Sequence, residues 1–304
     1  MDREELELFR AGLAEACSSH TGKALDDALD ELGWRDALEA DRQAVVSALF
    51  EEQGRANATS SALDVVLASA LGVDAAVVLP RLGRWDPPSD GVAVRGLGTG
   101  GLQRHNGAAV VAGDAVLIVD TTDLTLRPVG GLDPAMGIVE VSGDGLPSGT
   151  KSAPWVTAVA AGQLALAHEL VGASRAMLQL ARDHSLERVQ FGRPIAAFQA
   201  VRHRLAETLV AIEAAEAALG AAWEVESPMN AALAKAIAGG SARTVARHCQ
   251  QVLAGIGFTT EHPFHRYLRR TLVLDGLLGD TRALTKQLGQ DLLRTRELPP
   301  LLPL

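Results

Sequence analysis

The sequence predicts an α+β protein that is mainly α, with a small antiparallel β unit set between two helical parts. Apolar residues recur at helical spacing before residue 72 and again after residue 154. Between them, short β-branched runs alternate with Gly, Asp and Pro turns. The 304-residue chain is 47% hydrophobic and 21% charged, enough to bury a large core across two or three packed units. The expected division is 1–76 helical, 77–150 β and 151–304 helical.

In the first unit, Leu6, Phe9, Leu13 and Ala16 mark one helix, and Leu25, Leu29 and Leu32 mark a second before Gly33. Val45, Val46, Leu49 and Phe50 mark a third before Gly54. Ser60 or Ser61 is placed to cap a fourth through Leu63, Val66, Leu67 and Leu71, ending at Gly72. The middle unit has strand-like runs at Val92-Ala93-Val94, Ala109-Val110-Val111, Val116-Leu117-Ile118-Val119 and Ile138-Val139-Glu140-Val141, which suit five or six short strands. After Pro154 a long helix is expected from Trp155 to about His184. A second carries Phe198, Val201, Leu205, Leu209, Ile212, Leu219 and Trp223 on one stripe, up to Ser227-Pro228. A third carries Leu233, Ile237, Val245, Cys249 and Val252 and stops at Gly255-Ile256-Gly257. A fourth runs from about Asp280 to Arg296, before the proline-rich Pro299–Pro303. Four such helices predict an antiparallel bundle.

A net charge of −9 opposes general binding to nucleic acid or anionic membranes, so an anionic ligand needs a local basic patch. No basic-then-apolar leader and no uncharged apolar run of about 18 residues stands out, so a cytoplasmic location is expected, with no membrane partner. Cys17 and Cys249 lack metal-ligand spacing and read as small buried hydrophobes. The Gly96-Leu97-Gly98-Thr99-Gly100-Gly101 run matches G-x-G-x-x-G, but a strand rather than a helix follows it, so a β-hairpin turn is expected instead of a dinucleotide cradle. No metal site is expected: His262 and His265 have Pro263 between them and read as a surface loop. There is no nucleophile elbow and no phosphate-binding P-loop.

The segment Glu187-Arg188-Val189-Gln190-Phe191-Gly192-Arg193-Pro194-Ile195, followed by Phe198 and Gln199, has a different texture. It sets a cation, an amide and an aromatic in a short connection between two long helices. Arg188 and Arg193 can bond phosphate oxygens there, and Phe191 can pack on an adenine; solvated arginines in a plain helix connection are the competing reading. About fifty residues later comes Gln251-Val252-Leu253-Ala254-Gly255-Ile256-Gly257-Phe258, then Thr260-Glu261-His262-Pro263. The two segments resemble the R-x-[QT]-F-G and Q-x-x-G-G-x-G-[FY]…T-E-[HY]-P signatures of acyl-CoA dehydrogenases, with Ala254 in place of the first glycine of the second.

That resemblance implies an acyl-CoA dehydrogenase-like fold with N-terminal helices, a β domain and a C-terminal four-helix bundle. It implies FAD as cofactor. Arg188 would bind its pyrophosphate, Phe191 would pack near its adenosine half, and Gln251 and Gly255 would contact the ADP moiety, all across a subunit interface; Gln190 and Gln199 belong to the same set. The family's catalytic step needs a carboxylate base facing the acyl α-carbon. Counting from Glu261 places the usual base position at Leu278, before Gly279. In a second subgroup the base stands ten residues before a glycine that lies sixteen before the motif arginine. With Gly172 and Arg188 in those roles, the position is Gly162. Neither can take a proton; Asp280 is a weak substitute whose ordinary role is to cap the last helix.

The family's T-E-P-x-x-G-S-D flavin loop also has no match between residues 77 and 150, and the N-terminal helical unit is short for the family. The expectation is therefore a non-catalytic small subunit of a heteromeric α2β2 acyl-CoA dehydrogenase. It would contact FAD in trans, while a larger partner supplies the base and most of the acyl-CoA site, a steroid-derived thioester by analogy. A self-sufficient enzyme using Asp280, and a purely structural assembly subunit, are the alternatives.

Overall fold

The computed structural model describes residues 3–145, 151–152 and 154–296. The 150/151 boundary and the proline-rich segment after residue 296 lie at or outside the edges of these ranges. Five helices open the chain: α1 (Arg3–Ser19), α2 (Lys23–Glu31), α3 (Trp34–Ala40), α4 (Arg42–Ala56) and α5 (Ala62–Leu71). The short α3 is absent from the sequence expectation because only Trp34 and Leu38 are buried on it, too few to show a period. Asp41 caps α4 by accepting from Ala44 N at 3.1 Å, and Asn57 ends it in the left-handed conformation. Ser60, not Ser61, supplies the side-chain cap before α5: its Oγ accepts from Ala62 N at 3.2 Å.

Seven short strands follow among the described residues: β1 (Ala76–Val77), β2 (Ala93–Gly98), β3 (Gly107–Ala112), β4 (Ala115–Asp120), β5 (Thr125–Pro128), β6 (Val139–Asp144) and β7 (Lys151–Ser152). They form two sheets, ordered β1-β3-β4-β7 and β2-β6-β5. The pairing is antiparallel except for β1 with β3, which is parallel. This corrects the glycine-run expectation: β2 and β3 belong to different sheets, so Gly96–Gly101 is a crossing between sheets rather than a hairpin turn. Packing explains its glycines. A Cβ on Gly96 would stand 2.3 Å from Leu79 O, and one on Gly101 would stand 2.5 Å from Asp64 Oδ2.

The second helical part is built on α6 (Trp155–Glu187), which packs against α4, α5, α7 (Gln199–Glu224), α8 (Pro228–Leu253) and α9 (Phe264–Gly276); α10 (Thr281–Thr295) packs on α8. Where α4 and α6 cross, a Cβ on Gly54 would lie 2.2 Å from Glu169 O and one on Gly172 would lie 2.1 Å from Glu51 O. The two glycines allow the helix backbones to touch. Among the described residues α6 is the single helix long and apolar enough to cross a membrane, and 78% of its apolar window is buried.

Helix α9 is the main addition to the expected bundle, and it takes in His265, while His262 stays in the preceding connection. Its buried face carries Arg270, Thr271 and Asp275 beside Phe264 and Leu274, so an apolar-stripe criterion does not find it. Arg270 is 1% exposed and ties three parts of the fold together. Its Nε pairs with Asp133 Oδ2 at 2.6 Å, and it donates to Ala58 O at 2.5 Å and to Thr59 Oγ1 at 3.0 Å. Glu169 Oε1 lies 3.7 Å from Nη1. Burial pushes the Glu169 carboxyl up to about 7, against the pull of Arg270.

Candidate functional site

Helix α6 ends at Arg188, and the chain turns at once into a two-stranded ribbon, β8 (Val189–Gln190) with β9 (Arg193–Pro194). The two turn residues, Phe191 and Gly192, both have positive φ, 52° and 78°. That is the I′ geometry whose twist matches a tight hairpin. The turn holds Phe191 outward, 91% exposed, with its edge toward Phe198 at a centroid distance of 6.1 Å. The Arg193 guanidinium sits 4.4 Å from the Phe198 ring centroid, a cation–π contact. Arg188 is exposed, and its backbone is pinned from both sides: N–H donates to His184 O, and its carbonyl accepts from Ile195 N, each at 2.8 Å. Its guanidinium forms no ion pair among the described residues.

The hairpin, the start of α7 and the end of α8 line an open groove of about 630 Å³. Gln190 and Phe191 of the first segment line it together with Gln251 of the second, so residues about sixty apart in sequence share one wall. Gln199 is exposed at the first turn of α7, and Gly255 is exposed just beyond α8; neither they nor Arg188 line the groove itself. Nothing lies within 4 Å of where a Cβ on Gly255 would project, so the protein's own packing does not require that glycine. Ala254 is the reverse case. It adopts φ 52°, ψ −131°, a backbone region that glycine enters freely and an alanine enters only with strain.

Two features at the groove escaped sequence analysis. Arg204 on α7 lines it and lies 3.1 Å from His248 Nε2. Arginine can only donate, so Nε2 is the acceptor and His248 is neutral, with its Nδ1–H toward Thr208 Oγ1 at 3.3 Å. Burial, with Arg204 and Arg247 nearby, lowers the His248 pKa accordingly. Beside Arg188, His184 and His262 meet edge to face at 6.5 Å, and burial lowers both pKa values. The sequence offers no signal for either contact, because the partners lie on separate elements.

The two expected base positions meet in space. A Cβ on Gly162 would stand 2.5 Å from Leu278 Cδ1, 2.9 Å from Leu67 Cδ2 and 3.6 Å from Leu63 Cδ1. Leu278 is fully buried in the α9–α10 turn with φ 52°, its carbonyl held by Gln163 Nε2 at 2.9 Å. Below the turn, the fully buried Lys235 donates to Asp275 O at 3.0 Å and to Gly279 O at 3.2 Å, and burial brings its pKa down to about 8. Leucine side chains fill the space a base would need. Asp280 caps α10, accepting from Ala283 N at 2.8 Å, so its carboxylate already has a structural partner.

Cys17 and Cys249 are buried, with thiols pushed up to about 12 by desolvation. No cluster of three or more His, Cys, Asp or Glu suited to a metal occurs among the described residues.

The long-helix bundle, the projecting arginine–aromatic hairpin and the paired glutamine segment are arranged as the resemblance to acyl-CoA dehydrogenases implies. Residues 155–293 match the acyl-CoA dehydrogenase C-terminal domain model. Over that C-terminal stretch the chain is similar to acyl-CoA dehydrogenases. It is 29% identical over 330 aligned residues to acyl-CoA dehydrogenase IpdE2 of Mycobacterium tuberculosis (strain ATCC 25618 / H37Rv), covering 95% of this chain and 97% of that one. Among solved structures, a variant of the steroid ACAD Tcur3481-Tcur3483 superposes with TM-score 0.82 at 22% identity, over 96% of this chain and 99% of that one. The ChsE4-ChsE5 complex from Mycobacterium tuberculosis superposes with TM-score 0.75 at 21% identity, over 99% of each chain. At those identities the structures establish the shared fold.

Proposed function

We propose that this chain is the small, non-catalytic subunit of a heteromeric, α2β2 acyl-CoA dehydrogenase, in which it contacts FAD seated mainly on a larger partner. The observation that carries the reading is the contrast between its two candidate centres. The base position is filled by Leu278, Leu67 and Leu63, whereas Phe191, Arg188 and Gln251 stand exposed with little engagement from the chain itself. A 91% exposed phenylalanine held out by a tight turn is expensive unless something covers it.

The residues present suit one half of FAD. Arg188 and the open backbone at Gly255 fit a diphosphate, Phe191 fits an adenine face, and Gln190, Gln199 and Gln251 supply amides at the rim. They do not suit the ring half, which needs an acid–base group beside the substrate. Bound FAD would supply the hydride acceptor for α,β-dehydrogenation of a CoA thioester. This chain's residues would bind and orient its nucleotide end and shield it from water. The named structural neighbours, a steroid ACAD and a two-component complex, favour a steroid-derived thioester and a heteromeric partner. On this reading the chain divides at 1–76, 77–150 and 151–304, and the complex works in the cytoplasm.

The test is co-purification with candidate large subunits, measuring flavin content and dehydrogenase activity for each chain and for the complex. Flavin and activity are expected only in the complex, and Arg188→Ala is expected to remove flavin while leaving assembly intact. Full activity from this chain alone would overturn the proposal. Unchanged flavin in the Arg188→Ala complex would reduce the chain to an assembly subunit.

A further inference from the structure

Arg204 lies outside both signature segments, on the second turn of α7, yet it lines the same groove as Gln190 and Gln251. Its guanidinium is held from behind by a closed loop of hydrogen bonds. Thr208, fully buried, donates its hydroxyl hydrogen to Arg204 O at 2.7 Å. With that hydrogen committed, Oγ1 can only accept from His248 Nδ1, 3.3 Å away. The imidazole therefore carries its hydrogen on Nδ1 and turns a bare Nε2 toward the arginine. Arg204 Nη1 closes the loop by donating to Nε2 at 3.1 Å, and it also donates to Glu207 Oε2, again at 3.1 Å. The N–H groups of Nε and Nη2 have no partner among the described residues. The Glu207 pair is exposed and holds little by itself. His248, 6% exposed, is what fixes the plane of the guanidinium.

We propose that Arg204 is a specificity-determining residue that binds the adenine base of FAD, and that neutral His248 is the positioning residue that aims it. The inference rests on reading the groove as the seat of the nucleotide end. Around Arg204 the wall is Phe191, Ile195, Phe198, Val201 and Val252, aromatic and aliphatic carbon that suits the faces of a flat base rather than a solvated diphosphate. Arg188, the cation assigned to the diphosphate, is not on this wall. Arginine only donates, and the ring nitrogens of adenine accept. Gln190 supplies the complement: its Nε2 is committed to Val189 O at 2.8 Å, which leaves Oε1 to accept from the exocyclic amine. Protonation of His248 would remove the acceptor at Nε2 and set a like charge against Arg204. The charged groups acting on His248 are Arg204 and Glu207 on α7 and Arg247 on α8; burial and the two arginines lower its pKa from the ordinary 6.5, while Glu207 raises it. The imidazole thus stays neutral at neutral pH, and base binding weakens on the acid side.

The experiment is calorimetric titration of the deflavinated complex of this chain and its partner subunit with FAD and with FMN, between pH 5 and pH 8. Arg204→Met, at a partly exposed position that does not threaten the fold, is expected to weaken FAD roughly tenfold or more at pH 8, the loss of bonds from a charged donor. FMN lacks the base, and its binding is expected to match the parent's, whether tight or absent. His248→Phe is expected to weaken FAD by leaving the guanidinium unaimed. His248→Gln, whose amide oxygen accepts at any pH, is expected to restore the affinity and abolish the acid-side fall seen in the parent. FAD bound equally by the parent and Arg204→Met, while Arg188→Ala weakens it, would overturn the proposal and leave the flavin reading intact. FAD unaffected by either variant, or not bound at all, would overturn both. FMN weakened in step with FAD would also overturn the proposal, because Arg204 would then support the assembly rather than the base. An acid-side fall that persists in His248→Gln would overturn the role assigned to His248.

Discussion

Ala254→Gly tests whether the backbone after α8 is held in a shape set by the site rather than by its own residue. At φ 52°, ψ −131°, Ala254 occupies a region that costs a side-chain-bearing residue on the order of 1–3 kcal/mol. Substituting glycine removes that strain but enlarges the unfolded ensemble, at a cost of roughly 0.4–1 kcal/mol. The Cβ that is lost belongs to an exposed residue, so little burial is forfeited. The net expectation is a stabilisation of about 1 kcal/mol, hence a rise in Tm of roughly 2 °C for a chain of this length. Differential scanning calorimetry and urea unfolding with an unchanged m-value read this directly. A lower Tm would mean that the turn is relaxed, and the strain argument would fail. Flavin content of the complex measured in parallel separates a stability gain from an effect on the site.

Arg270→Met leaves Asp133 and Glu169 without their buried partner, and a destabilisation of about 3–5 kcal/mol is expected, read as a lower urea midpoint. Glu169 holds its proton in the folded state to about pH 7, whereas the unfolded chain releases it near 4.5. The folded state therefore binds more protons between those values, and stability falls as pH rises through that window. Glu169→Gln should flatten this part of the profile measured by urea unfolding at several pH values. Lys235 has the opposite sign: its folded pKa of about 8 lies below the ordinary 10.5, so it contributes a gain in stability as pH rises from 8 to 10.5. Lys235→Met should abolish that rise. Phe191→Ala, at a 91% exposed position, should leave Tm within the roughly 0.5 kcal/mol range of surface changes while reducing the flavin retained by the complex on gel filtration.

The long, one-sided helices and the two motif segments were legible in the sequence because their signals are local: periodic apolar residues in α6, α7 and α8, and fixed spacing around Arg188 and Gln251. What escaped depended on partners far away in the chain. Helix α9 hides behind Arg270, which is buried only because Asp133, Ala58 and Thr59 converge on it from other units. The Gly96–Gly101 run carries a familiar pattern, yet its glycines answer to Leu79 and Asp64 across a crossing between sheets. Counting could place Leu278 and Gly162 as alternative base positions; only the structure shows that a Cβ at Gly162 would collide with Leu278 Cδ1, at 2.5 Å.

That convergence bears on whether the missing base can be restored. Leu278→Glu puts a carboxyl where the leucine now fills the space against Leu67 and Leu63, with no cation in contact and Lys235 committed to the carbonyls of Asp275 and Gly279. Burial in such surroundings favours the protonated form, so the new group is a poor base near neutral pH. It also adds a stability loss that grows as pH rises, because the unfolded chain ionises first. The expectation is a folded variant at pH 6, weakened at pH 8, and no dehydrogenase activity from the complex when the partner's own base is removed. Activity reappearing in that double variant would mean that a substrate and a flavin ring reach the Leu278 turn, and that the chain's own site is closed only by one side chain.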